Sequence, residues 1–233
     1  PAAAPWRRAA NFFLDVIFPP VCAGCGRVGA LLCPACAAQM ERVAGPICIR
    51  CGRAQQPGDY SSIPCPECRE TPSPLSRMRA ALRYQEPASN LIHRFKYEGC
   101  FALAEPLARN LIAAWPTWDQ PPDLIIPIPL HPRRKRQRGY NQSELLAAPL
   151  ARALGLPMLP GGLQRVRHTA PQVGLGPEER HDNVRGAFVA ADDTAGRHVL
   201  LIDDVLTTGA TMRASAEALL PAGAASVSAF RLA

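Results

Sequence analysis

The stretch Val199-Leu200-Leu201-Ile202-Asp203-Asp204-Val205-Leu206-Thr207-Thr208-Gly209-Ala210-Thr211 decides the fold of this chain. Its four leading apolar residues predict a parallel strand, because strands covered on both faces need no polar alternation. The small, hydroxyl-rich residues that follow open a predicted helix over residues 212–220. This order predicts an α/β domain, in which ligands bind at the carboxyl ends of the strands.

The end of this strand carries the groups of a sugar-phosphate site. Backbone N–H groups at a helix start are unsatisfied and partly positive, so they suit a phosphate. Hydroxyl groups and a permissive glycine extend this cradle, which consists of Thr207, Thr208, Gly209, Ala210 and Thr211. Asp203 and Asp204 would repel a bare phosphate but can accept hydrogen bonds from sugar hydroxyls. We therefore predict a ribose 5-phosphate site; an ordinary turn with a capping threonine is the alternative.

Composition indicates a folded globular protein. The 233 residues suffice for one full domain and a small module, with 48% hydrophobic and 19% charged residues and a formal net charge of +7. No apolar run approaches the roughly 20 residues of a membrane helix, so we expect no membrane insertion. Residues 6–18 predict a short amphipathic helix instead of a signal peptide, because Asp15 interrupts the apolar run.

Eight of the nine cysteines fall in four C-x-x-C pairs, which are Cys22/Cys25, Cys33/Cys36, Cys48/Cys51 and Cys65/Cys68. Such pairs form tight knuckles that direct two thiolates at one metal, whereas they are poor partners in a disulfide framework. Zinc suits four thiolates in tetrahedral array, so we predict two structural Zn²⁺ sites.

The pairing of the knuckles is less constrained than their number. The seven residues between Cys25 and Cys33 suit a short ribbon hairpin, which favours grouping the pairs in sequential order. A cross-braced arrangement, in which alternate pairs share a metal, stays open. Cys100 stands apart and is interpreted as a small buried hydrophobe.

The chain divides into four predicted parts: an N-terminal helix (1–20), a double cysteine ribbon (21–70), a linker (71–78) and an α/β domain (79–233). Apolar runs predict strands over residues 80–84, 123–128, 196–203 and 225–232. Helical periodicity predicts helices from residue 86, over 103–114 and over 141–154.

Further charged segments surround the predicted site. Five of the six residues at 133–138 are basic and follow a predicted strand, so they suit a pyrophosphate; a nucleic-acid patch or a solvated face are the alternatives. Tyr140 is essentially the only aromatic residue near this run, which weakens the case for base stacking. Lys96 is a candidate site residue, or else a solvated cation at a helix end. Residues 163–188 are predicted to form a long loop that closes over the site and ends near a short strand.

The ordered set of motifs resembles the ComF family of competence-associated phosphoribosyltransferase-like proteins, which includes the GntX group. The resemblance rests on the four cysteine pairs, the strand-loop signature and four further motifs, which are His93-Arg94-Phe95-Lys96-Tyr97, Pro127-Ile128-Pro129-Leu130, Arg138-Gly139-Tyr140-Asn141-Gln142, and the set Arg165, Thr169, Gln172, Arg180 and Asn183. Tyr140 stands where the family often has Phe. The resemblance implies a double zinc ribbon, a type I phosphoribosyltransferase fold, a cytoplasmic location and a link to DNA uptake.

The resemblance also implies a reaction, the transfer of a phosphoribosyl group from Mg²⁺-bound phosphoribosyl pyrophosphate (PRPP) with release of pyrophosphate. Asp203 and Asp204 would hold the ribose hydroxyls, with Lys96 and Arg138 as further catalytic candidates. The pyrophosphate and the closing loop would involve Arg133, Arg134, Arg138, Asn141, Gln142, Arg165, Thr169, Gln172, Arg180 and Asn183. The alternative is a non-catalytic PRPP sensor that binds single-stranded DNA or a helicase through its zinc ribbon and basic loop. Nucleobase salvage is a minor option, because no acceptor-base pocket can be recognised.

Overall fold

The computed structural model describes residues 19–55, 63–167, 169, 183–205 and 209–233. The amphipathic helix expected over residues 6–18 lies outside these ranges. Six strands are present in them: β1 (Arg77–Ala80), β2 (Leu124–Pro127), β3 (Leu163–Arg165), β4 (Phe188–Ala190), β5 (His198–Asp203) and β6 (Ser226–Arg231). The helices are α1 (Pro34–Ala38), α2 (Pro66–Glu70), α3 (Ala88–Tyr97), α4 (Ala104–Ala113), α5 (Pro132–Arg138), α6 (Gln142–Leu154) and α7 (Ala210–Leu219), with 3₁₀ turns at Phe101–Leu103 and Asp192–Thr194.

Four of the strands form one parallel sheet in the order β1-β6-β5-β2. The central strand β5 is buried from Val199 to Ile202, as its unbroken apolar run predicts. It pairs with β2 on one side and with β6 on the other, where Asp203 lies opposite Arg231. The predicted α/β class with a parallel sheet flanked by helices is confirmed.

Each face of the sheet has its own core. Helices α3, α4 and α6 cover one face, where Leu91, Ile92 and Phe95 of α3 are fully buried as predicted. The other face is covered by α7 and by the β3–β4 hairpin. The predicted helix over residues 141–154 is also confirmed, since Asn141 caps its start and Gly155 ends it in the left-handed conformation.

Three expectations about local structure are wrong. The strand predicted at residues 80–84 lies earlier, at β1, because an edge strand tolerates the arginines that interrupt its apolar run. The long loop expected from residue 163 begins as β3, which pairs with β4 as an antiparallel hairpin. The basic run is the short helix α5 and not a loop; Pro132 occupies its first turn and Gly139 ends it.

The cysteine-rich segment packs directly on the sheet. The Met78 amide donates to the Arg50 carbonyl at 2.6 Å, and the Val43 amide donates to the Ala81 carbonyl at 3.1 Å. On the helical side, Arg94 of α3 donates to the Ala23 carbonyl at 3.0 Å. Both halves of this segment are therefore held by hydrogen bonds to the α/β part, while the division of the chain at residues 70 and 79 stays a prediction.

Within the described ranges, no helix combines the length and the apolar character that crossing a membrane requires.

Gly52 follows Cys51, and we expect the close contact between this part of the chain and β1 to require a glycine at this position. Its φ is +69°, and an added Cβ would lie 2.6 Å from the Met78 carbonyl oxygen. We expect Gly52→Ala to lower the free energy of unfolding by about 1 kcal/mol for the left-handed backbone and by about 1–3 kcal/mol more for the clash. Gly155→Ala is the matched control, because Gly155 has φ +65° and open space around it. Equal losses in denaturant titrations of the two variants would contradict this role.

Candidate functional site

A cavity of about 650 Å³ opens where β2 and β5 end. This is the edge of a parallel sheet at which ligands bind in open α/β folds. The cavity is lined by Lys96, Tyr97, Gly99, Ile128, Pro129, Leu130, Arg134, Gln137, Arg138, Gln142, Ser143, Arg165, Asp203, Asp204, Val205 and Thr211.

The paired aspartates form the acidic wall of this cavity. Asp203 Oδ1 accepts hydrogen bonds from the Ser143 hydroxyl at 2.8 Å and from the Asp204 amide at 2.9 Å. Asp204 is 5% exposed, and its Oδ1 accepts from the Val205 amide at 2.7 Å. Burial and the neighbouring Asp204 raise the pKa of Asp203 to about 7, although Lys96 and Ser143 oppose the shift. The raised pKa reflects the cost of holding two carboxylates this close together.

Lys96 supplies the counter-charge. It lies in the last turn of α3, and its Nζ is 2.9 Å from Asp204 Oδ1. Burial disfavours the charged ammonium, but Asp204 and Asp203 outweigh this and raise the pKa of Lys96. The interpretation of Lys96 as a solvated cation is wrong, because its side chain is only 21% exposed and paired.

Because the basic run is helical, its side chains point in different directions around the axis of α5. Arg134 and Arg138 are one turn apart on α5 and both line the cavity, together with Gln137. Arg133 and the other two basic residues of the run do not line it, and Lys135 pairs with Glu144 at 2.9 Å. Only one face of the run can therefore serve a ligand in this cavity.

A second cationic wall comes from β3. Arg165 Nη2 donates to the Thr169 hydroxyl at 2.6 Å, and Arg134 donates to the Thr169 carbonyl at 3.0 Å. Burial, together with Arg134, lowers the pKa of Arg165 to about 10, although Asp203 opposes this. Its Nε is buried without a hydrogen-bond partner among the described residues. Thr169 thus places two guanidinium groups side by side.

The residues at the start of α6 have different roles. Asn141 is buried and structural, because it donates to the Ile128 carbonyl at 3.0 Å and caps the helix by accepting from the Ser143 amide. Gln142 lines the cavity, and its Nε2 is buried with no partner in the described part of the chain. Gln142 is therefore the better candidate for a ligand contact.

The structure describes residues 209–211 of the predicted phosphate cradle. Gly209 adopts φ +78° immediately before α7 begins at Ala210, and Thr211 lines the cavity. Thr207 and Thr208 lie outside the described residues, as do Gln172 and Arg180 of the expected closing loop. Asn183 is described and does not line the cavity; its carbonyl accepts from Arg167 at 3.1 Å.

Among the polar side chains that line the cavity, the predicted site lacked Tyr97, Gln137 and Ser143. Ser143 follows Gln142 in the first turn of α6, so the helix-start rule that was applied after β5 could have found it. Tyr97 and Gln137 gave no comparable signal, because each depends on how its helix is oriented against the sheet.

The eight paired cysteines form two clusters away from this cavity. Cys22, Cys25, Cys33 and Cys36 form the first tetrad, and Cys48, Cys51, Cys65 and Cys68 the second; the Sγ atoms of each lie within 4.8 Å of one another. This is the sequential grouping and not the cross-braced one. Cys25 and Cys33 Sγ are 3.6 Å apart, and Cys51 and Cys65 Sγ are 3.8 Å apart. Zn–S bonds of 2.3 Å at tetrahedral angles place two sulfurs roughly 3.8 Å apart.

The electrostatics of both tetrads favour thiolates around a cation. Although burial opposes ionisation, backbone N–H donors lower the pKa values of Cys22 and Cys48 to about 6. The donors include the Cys33 amide at 3.3 Å and the Cys65 amide at 3.2 Å. Burial and neighbouring thiols raise the pKa of Cys36 to about 12, so a full set of thiolates requires a metal. Gly24 is also needed, because a Cβ there would lie 2.9 Å from Cys36 Sγ.

The cysteine-rich segment and the α/β domain each match a known protein family. Residues 13–69 match the double zinc ribbon domain, and residues 140–232 match the phosphoribosyl transferase domain. The DNA utilization protein YhgH of Salmonella typhimurium is 38% identical over 84% of this chain and 87% of its own length. Competence protein F of Haemophilus influenzae is 35% identical over 87% of this chain and 90% of its own. Competence protein ComFC of Bacillus subtilis is 29% identical over 86% and 83%.

Solved structures give weaker likenesses. The glutamine PRPP amidotransferase from B. subtilis has a TM-score of 0.36 and 22% identity, covering 57% of this chain and 26% of its own. Adenine phosphoribosyltransferase from Leishmania tarentolae has a TM-score of 0.33 and 20% identity, covering 64% and 60%. The domain matches and the relatives show that this chain belongs to the ComF family, in which a double zinc ribbon precedes a phosphoribosyltransferase domain of type I fold.

Proposed function

We propose that the chain binds Mg²⁺-PRPP in the cavity at the ends of β2 and β5 and transfers its phosphoribosyl group to an acceptor. One observation carries this proposal: paired aspartates and three arginines line the same cavity. A ligand that satisfies both must offer hydroxyl donors at one end and several negative charges at the other. A ribose that carries phosphate groups has this distribution.

The carboxylates of Asp203 and Asp204 accept hydrogen bonds from the ribose hydroxyls. Because Lys96 already occupies Asp204 Oδ1, the incoming hydroxyl shares that oxygen or displaces the ammonium towards a phosphate. The 5-phosphate lies at the start of α7, near Thr211, where the positive end of the helix dipole attracts it. These contacts fix the sugar before any bond changes.

In the proposed reaction the bond between ribose C1 and the pyrophosphate oxygen breaks, and its electron pair leaves with the pyrophosphate. The acceptor's lone pair forms the new bond to C1. Positive charge on the sugar and negative charge on the leaving group develop together. Arg134, Arg138 and Arg165 face the cavity in which this negative charge grows, and Gln142 adds an N–H donor that has no partner among the described residues.

Mg²⁺ would be held through the oxygens of PRPP itself, since this ion keeps few protein ligands and binds substrate phosphates, and it would neutralise part of the pyrophosphate charge. The two cysteine tetrads are proposed to hold one structural Zn²⁺ each, because all eight ligand positions are filled by sulfur. No tetrad leaves an open coordination position for chemistry.

A PRPP-sensing protein that binds single-stranded DNA is the second candidate, and a surface at the cavity mouth favours it. Tyr97 and Phe101 are each 62% exposed, and the Arg138 guanidinium lies 5.2 Å from the centroid of the Tyr97 ring. Phe101 also packs edge-on against Tyr140 at 6.3 Å. The expectation that Tyr140 is the only aromatic residue near the basic run is therefore wrong, because α3 and the turn after it bring two more.

The names of the relatives support a link to DNA. They refer to DNA utilization and to competence. We extend this link to the present chain as a proposal, with a cytoplasmic location and a helicase as the partner of the zinc ribbon.

Asp204→Asn should weaken Mg²⁺-PRPP binding at least tenfold, because a charged acceptor of the ribose hydroxyls becomes a neutral amide. Isothermal titration calorimetry measures the affinity, a pyrophosphate-release assay over nucleobases and amines measures transfer, and circular dichroism checks the fold. Asp193→Asn is the matched control, since Asp193 is exposed on a 3₁₀ turn. If Asp204→Asn binds PRPP as the parent does, the ribose assignment is wrong. If the parent binds PRPP but releases no pyrophosphate with any acceptor, the transferase proposal is wrong and the PRPP-sensing function is the candidate that remains.

The purified chain should contain two zinc ions. Cys22→Ser and Cys48→Ser should each leave one, because each removes a buried ligand from a different tetrad. Cys100→Ser should still bind two, since Cys100 belongs to neither tetrad. Atomic emission spectroscopy gives the stoichiometry. Loss of both ions from either tetrad variant would show that the sites are not independent, and one ion in the parent would refute the second site.

Tyr97→Ala should lower the affinity for an oligothymidine strand about 5- to 150-fold, because base stacking on one aromatic ring contributes about 1–3 kcal/mol. Tyr84→Ala is the control, with a tyrosine 58% exposed outside the cavity lining. Fluorescence anisotropy at two salt concentrations measures the binding and its phosphate contribution. An absence of binding at low salt would eliminate the DNA-binding candidate.

A further inference from the structure

The last turn of α3 is held by the connection between α5 and α6. The hydroxyl of Tyr140 in this connection donates a hydrogen bond to the Phe95 carbonyl of α3. The last four carbonyls of a helix have no partner within the helix, so a donor from another element can fix the position of the helix end. Tyr140 directly precedes Asn141, the cap of α6, and is therefore itself attached to a fixed point.

The ring of Tyr140 packs beside the same helix end. Its centroid lies 5.9 Å from that of Phe95, which is fully buried, and 6.3 Å from that of Phe101. Burial raises the pKa of Tyr140, although Arg138 opposes this, so the hydroxyl stays protonated and can donate. Packing thus positions the ring, and the hydroxyl adds one hydrogen bond that a single substitution can remove.

Lys96 is the cavity residue that this helix end carries. It follows Phe95 directly, and its Nζ reaches Asp204 Oδ1 at 2.9 Å with the side chain only 21% exposed. A lysine side chain has many rotamers and loses much conformational freedom when it is held in one geometry. Because the side chain starts from the backbone of the last turn, a shift of that turn changes how Lys96 meets the carboxylate.

The residue on the other side of Lys96 is held by the same connection. The guanidinium of Arg138 lies 5.2 Å from the centroid of the Tyr97 ring. Arg138 and Tyr140 are separated only by Gly139, which ends α5 in the left-handed conformation. One short segment therefore contacts both chain neighbours of Lys96, and the hydroxyl of Tyr140 makes the hydrogen bond of this pair of contacts.

We propose that Tyr140 is a positioning residue, whose hydroxyl fixes the last turn of α3 so that Lys96 stays paired with Asp204. The inference deepens the function proposed above and rests on it, since Lys96 and Asp204 are placed there in the PRPP site. It explains how a flexible side chain from a helix end is kept against the acidic wall of the cavity.

The test uses the fact that Lys96 and Lys135 are the only lysines of the chain. Limited acetylation of the ligand-free chain with acetic anhydride, followed by mass spectrometry of its peptides, gives a rate for each lysine. A paired, enclosed ammonium reacts slowly because it stays protonated and shielded. Tyr140→Phe keeps the ring and removes the hydroxyl, so Lys96 should react about 2- to 10-fold faster, the factor that one net hydrogen bond supplies.

Two controls separate positioning from general stability. Lys135 of α5 is an internal control, because its side chain is 49% exposed and paired with Glu144, and its rate should not change. Tyr84→Phe is the matched variant, since Tyr84 is 58% exposed and outside the cavity lining, and both lysines should react in it as in the parent. An unchanged rate at Lys96 in Tyr140→Phe would overturn the proposal. An equal rise at both lysines would also overturn it, because the hydroxyl would then only stabilise the fold.

The two lysine rates decide this inference without any ligand. Calorimetry of the parent with Mg²⁺-PRPP decides the proposed function separately. A parent that binds no PRPP would refute the proposed function, while faster acetylation of Lys96 alone in Tyr140→Phe would still support the positioning role of Tyr140.

Discussion

The desolvated carboxylate pair at the end of β5 is the constraint on which the rest of the site depends. Two adjacent aspartates next to a sheet core repel each other and lose hydration, so the surrounding elements must supply compensation. Lys96 from α3 and the Ser143 hydroxyl from α6 do this directly. The stability of the whole fold offsets the unfavourable free energy of placing these charges together. Groups held at such a cost are expected in a ligand site rather than in an ion pair that stabilises the fold.

The cationic side of the cavity follows the same logic. Arg165 is buried beside Arg134, and both are fixed through Thr169, so two like charges are held close together. Such an arrangement is unfavourable unless a ligand supplies negative charge. The acidic wall and the basic wall together are the observation on which the proposal of a phosphorylated ribose as ligand rests. The zinc tetrads contribute by ordering a segment that is too short for a hydrophobic core of its own.

Much of this could be predicted from the sequence. The apolar run of β5 and the helix signals around α3 and α6 fixed the α/β class, because burial on both faces and end caps are local properties. The four C-x-x-C pairs indicated metal knuckles for the same reason. The ends of two strands were less predictable. At β1, pairing with β6 and not apolar content selects the residues of the strand. At β3, the partner strand β4 is more than twenty residues away in sequence.

By itself the sequence determined which chemical groups the protein has and on which elements they lie: paired acids after a strand, thiols in knuckles, and a dense basic run. Only the tertiary structure decided which of them meet. Helical geometry turned Arg134 and Arg138 towards the cavity and left Arg133 outside it, and packing of α3 brought Lys96 to Asp204. Local patterns carry periodicity and propensity, whereas the meeting of distant charges depends on how helices and strands pack.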